Sequence, residues 1–403
     1  MTVTVRIVVR LVEKGCGIVL SKLTPTELAL MLAVELHFIT VNFLRNHSLK
    51  YFIHDRIVLR FRVFNLLLNE VPFHQLKQCF FSSYAITVLS ETSYLYEMGQ
   101  NIYEYIYDML LRIGGVSMSK VISIINLKGG VGKTTLTVGL AEFLVVEKQY
   151  KVLVIDLDPQ TNSTVSLIGE DEWALRNNSN RTLFHLFKDK IDDTSNFDLE
   201  SSVVKRCSNL YGGLSNLHLL PSSLDFVQIQ DRLINIGQTA LIRPIDVLKR
   251  SVNDYIKNYD YVLIDCPPNL GLVTQNGLNI SDYYLIPTIP DHLSTYGIPQ
   301  IISSVNSFNR RTESNVQALG IIASMYRSNV TRHQTTLMKM KTKAAVGELP
   351  RLFETRIPLA SKAADATHFE AEGVNTIKQK YGSSGSPLFE AFSQITEEFC
   401  QYV

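Results

Sequence analysis

The stretch RIGGVSMSKVISIINLKGGVGKTT, residues 112–135, decides how this 403-residue chain is read. Its middle, VISIIN (121–126), is a short continuous apolar run, as expected of a strand buried on both faces of a parallel sheet. KGGVGKTT (128–135) follows at once, and TLTVGLAEFLVVEK (135–148) has helical patterning. A strand, a glycine-rich turn and a helix in that order make a cradle for phosphate. Glycines open backbone conformations closed to other residues, so several N–H groups can converge on one anion, and the positive end of the helix faces the same point. The match to G-x-x-x-x-G-K-[ST] runs in a shortened register, Gly129-Gly130-Val131-Gly132-Lys133-Thr134, with Thr135 after it and Lys128 directly before its first glycine. In this pattern Lys133 would neutralise the β and γ oxygens of a bound phosphate chain, and the Thr134 hydroxyl would ligate Mg²⁺.

Such a loop needs carboxylates to hold the metal and organise an attacking water. VLIDCPP (262–268) puts Asp265 at the end of an apolar strand, where it can hold Mg²⁺ directly or through water. VIDLDPQTNST (154–164) puts Asp156 and Asp158 at the end of another. Their i, i+2 spacing would share one face if the strand continued; Pro159 turns the chain instead and lets Asp158 lean towards the γ-phosphate.

Further runs, YYLIPTIP (283–290) and LGIIASMY (319–326), alternate with helical stretches such as STYGIPQIISSVNSFNRR (294–311). The expected fold is therefore α/β: a doubly wound, mostly parallel sheet flanked by helices, occupying 118–403. The polar segment 169–216, with NNSNR and DDTSN, reads as partly a surface excursion. Residues 1–117 are rich in Phe, Tyr, Leu and Ile without strand–helix alternation, and admit two readings. One is an accessory, helical domain. The other is upstream translation before a true start at Met118, and Gly114-Gly115 favours it: GGAGGT, a strong bacterial ribosome-binding sequence, can encode that pair at initiation spacing from Met118.

The net charge of +1 points to no acidic or nucleic-acid partner for the chain as a whole, so any such case rests on local charge. The five cysteines, Cys16, Cys79, Cys207, Cys266 and Cys400, have no ligand spacing, which suits reduced thiols in a cytoplasm. The apolar run 28–44 is interrupted by Glu35 and His37, short of a membrane span, and no signal-peptide pattern is apparent.

KGGVGKTT, DLDPQTNST, LIDCPP and TIPDHLSTYGI, in this order, resemble the ParA/MinD group of deviant Walker ATPases, most nearly ParA-type partition proteins of the Soj kind. The resemblance spans about 118–403. It implies that Lys128 is a signature lysine reaching the partner's phosphates across an ATP-sandwiched homodimer. Asp158 would position the hydrolytic water, with Thr134, Asp156 and Asp265 around Mg²⁺, and ASMY (323–326) would lie near the base, making Met325 and Pro358 candidate adenine contacts. LLPSSLDF (219–226) resembles a strand end of the family, whereas RIPLASKAADA (356–366) matches its usual stretch only loosely. The resemblance further implies nonspecific DNA as a partner, together with a ParB-like centromere-binding protein or another cargo adaptor, in a cytoplasmic, nucleoid-associated protein.

Arg327, Arg332, Lys339, Lys341, Lys343, Arg351 and Arg356, against only Glu348 and Glu354, are the local charge that fits DNA phosphates, although the alternating lysines 339, 341 and 343 do not share one helix face. A MinD-like membrane reading needs a basic amphipathic C-terminus. The C-terminal SPLFEAFSQITEEFCQYV instead carries Glu390, Glu397 and Glu398 opposite a stripe of Leu388, Phe392, Ile395 and Phe399, so packing on the core is expected and no membrane partner. A metabolic reading, through a shared iron–sulfur cluster or a cofactor ligase, lacks its motifs: Cys266 reads as a small buried residue.

Overall fold

The computed structural model describes residues 119–233, 242–291, 295–369 and 375–403; the extension 1–117 and the start at Met118 lie outside the described residues. The strands are β1 (Lys120–Ile124), β2 (Val152–Asp156), β3 (Val204–Cys207), β4 (Leu214–Leu220), β5 (Tyr261–Asp265), β6 (Tyr283–Thr288), β7 (Gln317–Tyr326) and β8 (Leu352–Pro358). They form one eight-stranded sheet in the order β3-β4-β2-β5-β1-β6-β7-β8. Every pairing is parallel except β3 with β4. The expected doubly wound, mostly parallel α/β sheet is therefore the observed one. From β1 the sheet extends on one side through β5, β2, β4 and β3, which the chain fills before it crosses to the other side through β6, β7 and β8. The carboxyl end of β1 is thus a switch point, where open α/β sheets leave a crevice.

The covering helices include α1 (Lys133–Val146), α2 (Asn162–Asn178), α3 (Leu183–Asp192), α4 (Leu272–Leu278), α5 (Ile298–Thr312), α6 (Thr331–Ala345) and α7 (Pro387–Tyr402). Alternation along the strands divides the core in two. Ile122, Ile124, Val152 and Val154 pack with Leu136, Leu140 and Phe143 of α1 and with Phe392, Ile395 and Phe399 of α7. Val121, Leu153, Ile155 and Ile264 pack on the opposite face with Leu183 and Phe187 of α3 and with Ile301 and Phe308 of α5. The stripe expected to seat the C-terminal helix is buried as read. Helices α1 and α7 approach closely at Gly139, where a Cβ would stand 2.3 Å from the Phe392 ring. On the polar face of α7, the Glu398 carboxylate accepts hydrogen bonds from the Glu354 and Thr355 amides of β8, at 2.9 and 2.8 Å.

Two regions go beyond the sequence reading. Segment 169–216 is built structure: it holds the end of α2, all of α3, β3 and the start of β4. Most of its polar residues are exposed or half-buried, Thr182, Asp189, Ser202 and Ser208 being buried, while Leu183, Leu186 and Phe187 enter the core at a spacing too short to stand out in a polar window. The edge strand β8, LFETRIP, shows a half-buried, irregular pattern and two register shifts against β7, which is why its sequence carries no clean strand signal.

Candidate functional site

β1 ends at Ile124, level with Asp265 of β5, and Asp265 is level with Asp156 of β2. Two carboxylates on adjacent strands, about 4.8 Å apart in the pairing direction, therefore stand beside the loop that leaves β1. That loop runs into α1, whose N-cap is Gly132 with no side-chain cap and no acidic residue in its first turn. Gly130 and Gly132 have φ of 69° and 83°, left-handed conformations that a side chain would strain. A Cβ placed on Gly129 or Gly130 would meet nothing within 4 Å, so the loop is open on that side. Val131 is buried; Lys133 is largely buried at the first turn of α1, with Thr134 and Thr135 partly exposed beside it. Unsatisfied N–H groups and a helix dipole at an open concavity suit an anion.

Asp265 is fully buried. Its Oδ2 accepts hydrogen bonds from Thr134 Oγ1 at 2.8 Å and Ser163 Oγ at 2.6 Å, whereas its Oδ1 is buried with no hydrogen-bond partner. Burial pushes the carboxyl up to about 6, against the lowering effect of those two hydroxyls. Asp156 is also raised well above the usual carboxylate range, first by burial and then by the neighbouring Asp265. Both its oxygens are engaged: Oδ1 by the Asp158 amide at 3.0 Å, Oδ2 by the Thr164 amide and hydroxyl at 2.9 and 2.7 Å. Asp158 is largely buried, accepts from the Gln160 amide at 2.9 Å, and is raised by burial while that bond and Lys133 oppose the shift.

An orphaned, desolvated carboxylate oxygen beside a threonine hydroxyl fits a hard cation with oxygen ligands, as Mg²⁺ is. Among the described residues no three His, Cys, Asp or Glu side chains form a metal cage. A cation here would take one or two carboxylate oxygens and complete its shell with phosphate and water, the usual habit of Mg²⁺. Asp265 is the residue with an oxygen to offer; Asp156, both oxygens occupied, stands behind it.

Lys128 follows the strand end; its amide donates to Asn126 Oδ1 at 2.9 Å, and its Nζ lies 3.7 Å from Asp291 Oδ2, with the side chain 44% exposed. Asn126, buried, also donates to the Pro287 carbonyl at 2.8 Å and so ties the loop to the end of β6. Met325 and Pro358 lie at the same end of the sheet: Pro358 is level with Tyr326, and a Cβ on Gly132 would lie 4.0 Å from Met325 Cε.

The seven cations read as one patch are not gathered into one. Arg332, Lys339 and Lys343, spaced i, i+7, i+11, form an exposed ridge on α6, away from its buried His333, Leu337 and Met340. Lys343 lies 3.5 Å from Glu348, and Lys341 is on the other flank, paired with Glu354 at 2.8 Å. The Arg351 guanidinium lies over the Tyr402 ring at 3.9 Å, Arg356 over Tyr326 at 5.2 Å, and Arg327 is exposed in the turn before α6. Lys339 and Lys343 do share a face, four residues apart, and only Lys341 departs from it. Cys266 is fully buried and its thiol is pushed far up by burial, as befits a packing residue.

Sequence reading assigns no role to Asn126, Ser163, Thr164 or Ser324. Ser163 and Thr164 stand inside DLDPQTNST, so a signal is present there; Ser324 has none, because its partner is a backbone carbonyl.

A family model described as an AAA domain matches residues 119–318. An uncharacterized protein of Methanocaldococcus jannaschii is 33% identical over 69% of this chain and 96% of its own length. The chromosome-partitioning ATPase Soj of Thermus thermophilus is 28% identical over 69% of this chain and 94% of its own. Among solved structures, a Cyanothece McdA variant in complex with ATP is similar in fold, with a TM-score of 0.54 and 24% identity over 71% of this chain and 97% of that one.

Proposed function

The chain belongs to the ParA/Soj family of P-loop ATPases, and on that premise we propose that it is an ATP-driven partition switch: a Mg²⁺-dependent ATPase that dimerises on ATP, rides nonspecific DNA and segregates a replicon. The observation that carries the reading is the unpartnered, buried Asp265 Oδ1 beside Thr134, at the mouth of an uncapped helix and a glycine loop. The loop amides and Lys133 bind the triphosphate, Thr134 and Asp265 hold the metal, with Asp156 behind them, and Asp158 orients water towards the γ-phosphorus. Mg²⁺ supplies charge neutralisation of the phosphate oxygens. Lys128 supplies the second protomer's phosphates with a cation, and a charge introduced there accelerates phosphoryl transfer by on the order of 10³–10⁵. Because each copy completes the other's site, ATP favours the dimer by its differential affinity for it.

Met325 and Pro358 receive the base. The ridge of Arg332, Lys339 and Lys343 spans about 16 Å at ~1.5 Å per residue, enough to follow a DNA backbone, with Arg327 and the more engaged Lys341, Arg351 and Arg356 at its margins. A ParB-like centromere protein, or an adaptor for another cargo, stimulates turnover, and the cycle runs in the cytoplasm on the nucleoid. The name of the Thermus relative, a chromosome-partitioning ATPase, supports this reading. Among the described residues no helix is long and apolar enough to cross a membrane, and the apolar stripe of α7 is engaged in the core.

The test is ATP- and salt-dependent retention on random-sequence DNA, measured with ATP hydrolysis. Retention that appears with ATP and weakens steeply with salt is expected; hydrolysis without any ATP-dependent DNA retention would favour another cargo.

A further inference from the structure

Between the phosphate loop and the basic helix α6 runs a short connection made by one side chain. Ser324, near the end of β7 and 1% exposed, donates its hydroxyl to the Val131 carbonyl at 2.6 Å. In a trans peptide the carbonyl and the following N–H point to opposite sides. Fixing the Val131 carbonyl against β7 therefore aims the Gly132 amide away from β7, and the hydroxyl satisfies a buried carbonyl that would otherwise be orphaned. A rearrangement of the loop that turns this peptide must carry Ser324 with it or break the bond.

The backbone is strained at the very next residue. Met325 has φ of 49°, left-handed for a residue that is not glycine, a condition that persists only where the surroundings impose it and that gathers at switch regions. Tyr326 then accepts the Leu359 amide at 2.9 Å, and the Arg327 amide donates to His333 Nδ1 at 3.2 Å, inside the first turn of α6. A strained hinge and the start of the basic ridge thus lie within one run of chain, and Ser324 at its head joins that run to the phosphate loop.

We propose that Ser324 is a positioning residue that links the occupancy of the phosphate loop to the placement of α6, and so regulates the DNA-binding ridge by nucleotide. The DNA part of this rests on the function proposed above; the linkage itself does not. A ligand shifts such an element only by its differential affinity for two arrangements, so Ser324 has to matter more to the response than to nucleotide binding.

The experiment is hydrogen–deuterium exchange on the full chain with and without Mg–ATP, for wild type, Ser324→Ala and Ser324→Thr, with DNA affinity measured in parallel. In wild type, Mg–ATP alters exchange both at 129–136 and at 327–345. In Ser324→Ala the response at 129–136 persists, that at 327–345 is lost, and the ATP-dependent gain in DNA affinity falls by about tenfold, within the usual range of coupling between sites. Ser324→Thr, which keeps the hydroxyl, restores both. The linkage is overturned if Ser324→Ala keeps the 327–345 response, if it loses the 129–136 response as well, if threonine does not rescue, or if wild type shows no change at 327–345. A wild type whose α6 responds to ATP without binding DNA sinks the DNA reading and leaves the linkage standing.

Discussion

The carboxylate cluster at the ends of β2 and β5 and the basic ridge on α6 hold their charges in opposite ways. In the first, fully buried Asp156 and Asp265 are held in register by two strands and fixed by Thr134, Ser163 and Thr164 at 2.6–2.9 Å. In the second, Arg332, Lys339 and Lys343 stand exposed on one helix face. Buried groups in a low-dielectric site interact strongly and tolerate little change; exposed cations act through a screened, additive field. A catalytic site can therefore be damaged by one atom, whereas the ridge should fade gradually.

The sharpest break would come from Lys128→Ala. It is expected to retain nucleotide in a filter or fluorescence assay while hydrolysis falls by on the order of 10³ or more; wild-type turnover would remove the lysine from the chemistry. Next is Asp265→Asn. Saturating Mg–ATP should stabilise wild type by about 3 kcal/mol at a hundredfold excess over Kd, raising Tm by about 6–12 °C for a domain of this size. The substitution should abolish most of that increment, read by differential scanning fluorimetry; an undiminished shift would mean that the metal is held elsewhere. The ridge should respond more mildly. Lys339→Ala with Lys343→Ala is expected to lower DNA affinity about tenfold and flatten the salt slope by about 2, whereas Lys341→Ala, on the other flank and held by Glu354 at 2.8 Å against the looser 3.5 Å pair of Lys343 with Glu348, should lose less. An equal loss from all three would restore the single patch that the structure divides. Smallest of all, Asp291→Asn removes one partly exposed ion pair with Lys128, and should change unfolding free energy by less than about 1 kcal/mol.

The same contrast explains how far the chain alone could be read. The placement of Lys128–Thr135, Asp156 and Asp265 at one end of the sheet was legible because backbone geometry forces their spacing: a glycine loop has to follow its strand at once, and a carboxylate at a strand end is level with its neighbour's. The parallel sheet was legible for a related reason, since β1, β2 and β5 are buried on both faces and spell it in continuous apolar letters. Legibility stopped where a partner is remote in sequence or is backbone. The Ser324 hydroxyl meets a carbonyl 193 positions away, and the Asn126 amide meets the carbonyl of Pro287. For the cations, counting them gave the field but not its shape, because the aromatic rings of Tyr326 and Tyr402 claim two guanidinium groups that composition leaves at large.

The bonds from Glu398 to β8 reach beyond packing. An outermost strand ordinarily invites another chain to add itself, and two successive amides of this one are already occupied by a carboxylate from the last helix. Copies of the protein are thereby discouraged from joining through this rim into an open-ended ribbon.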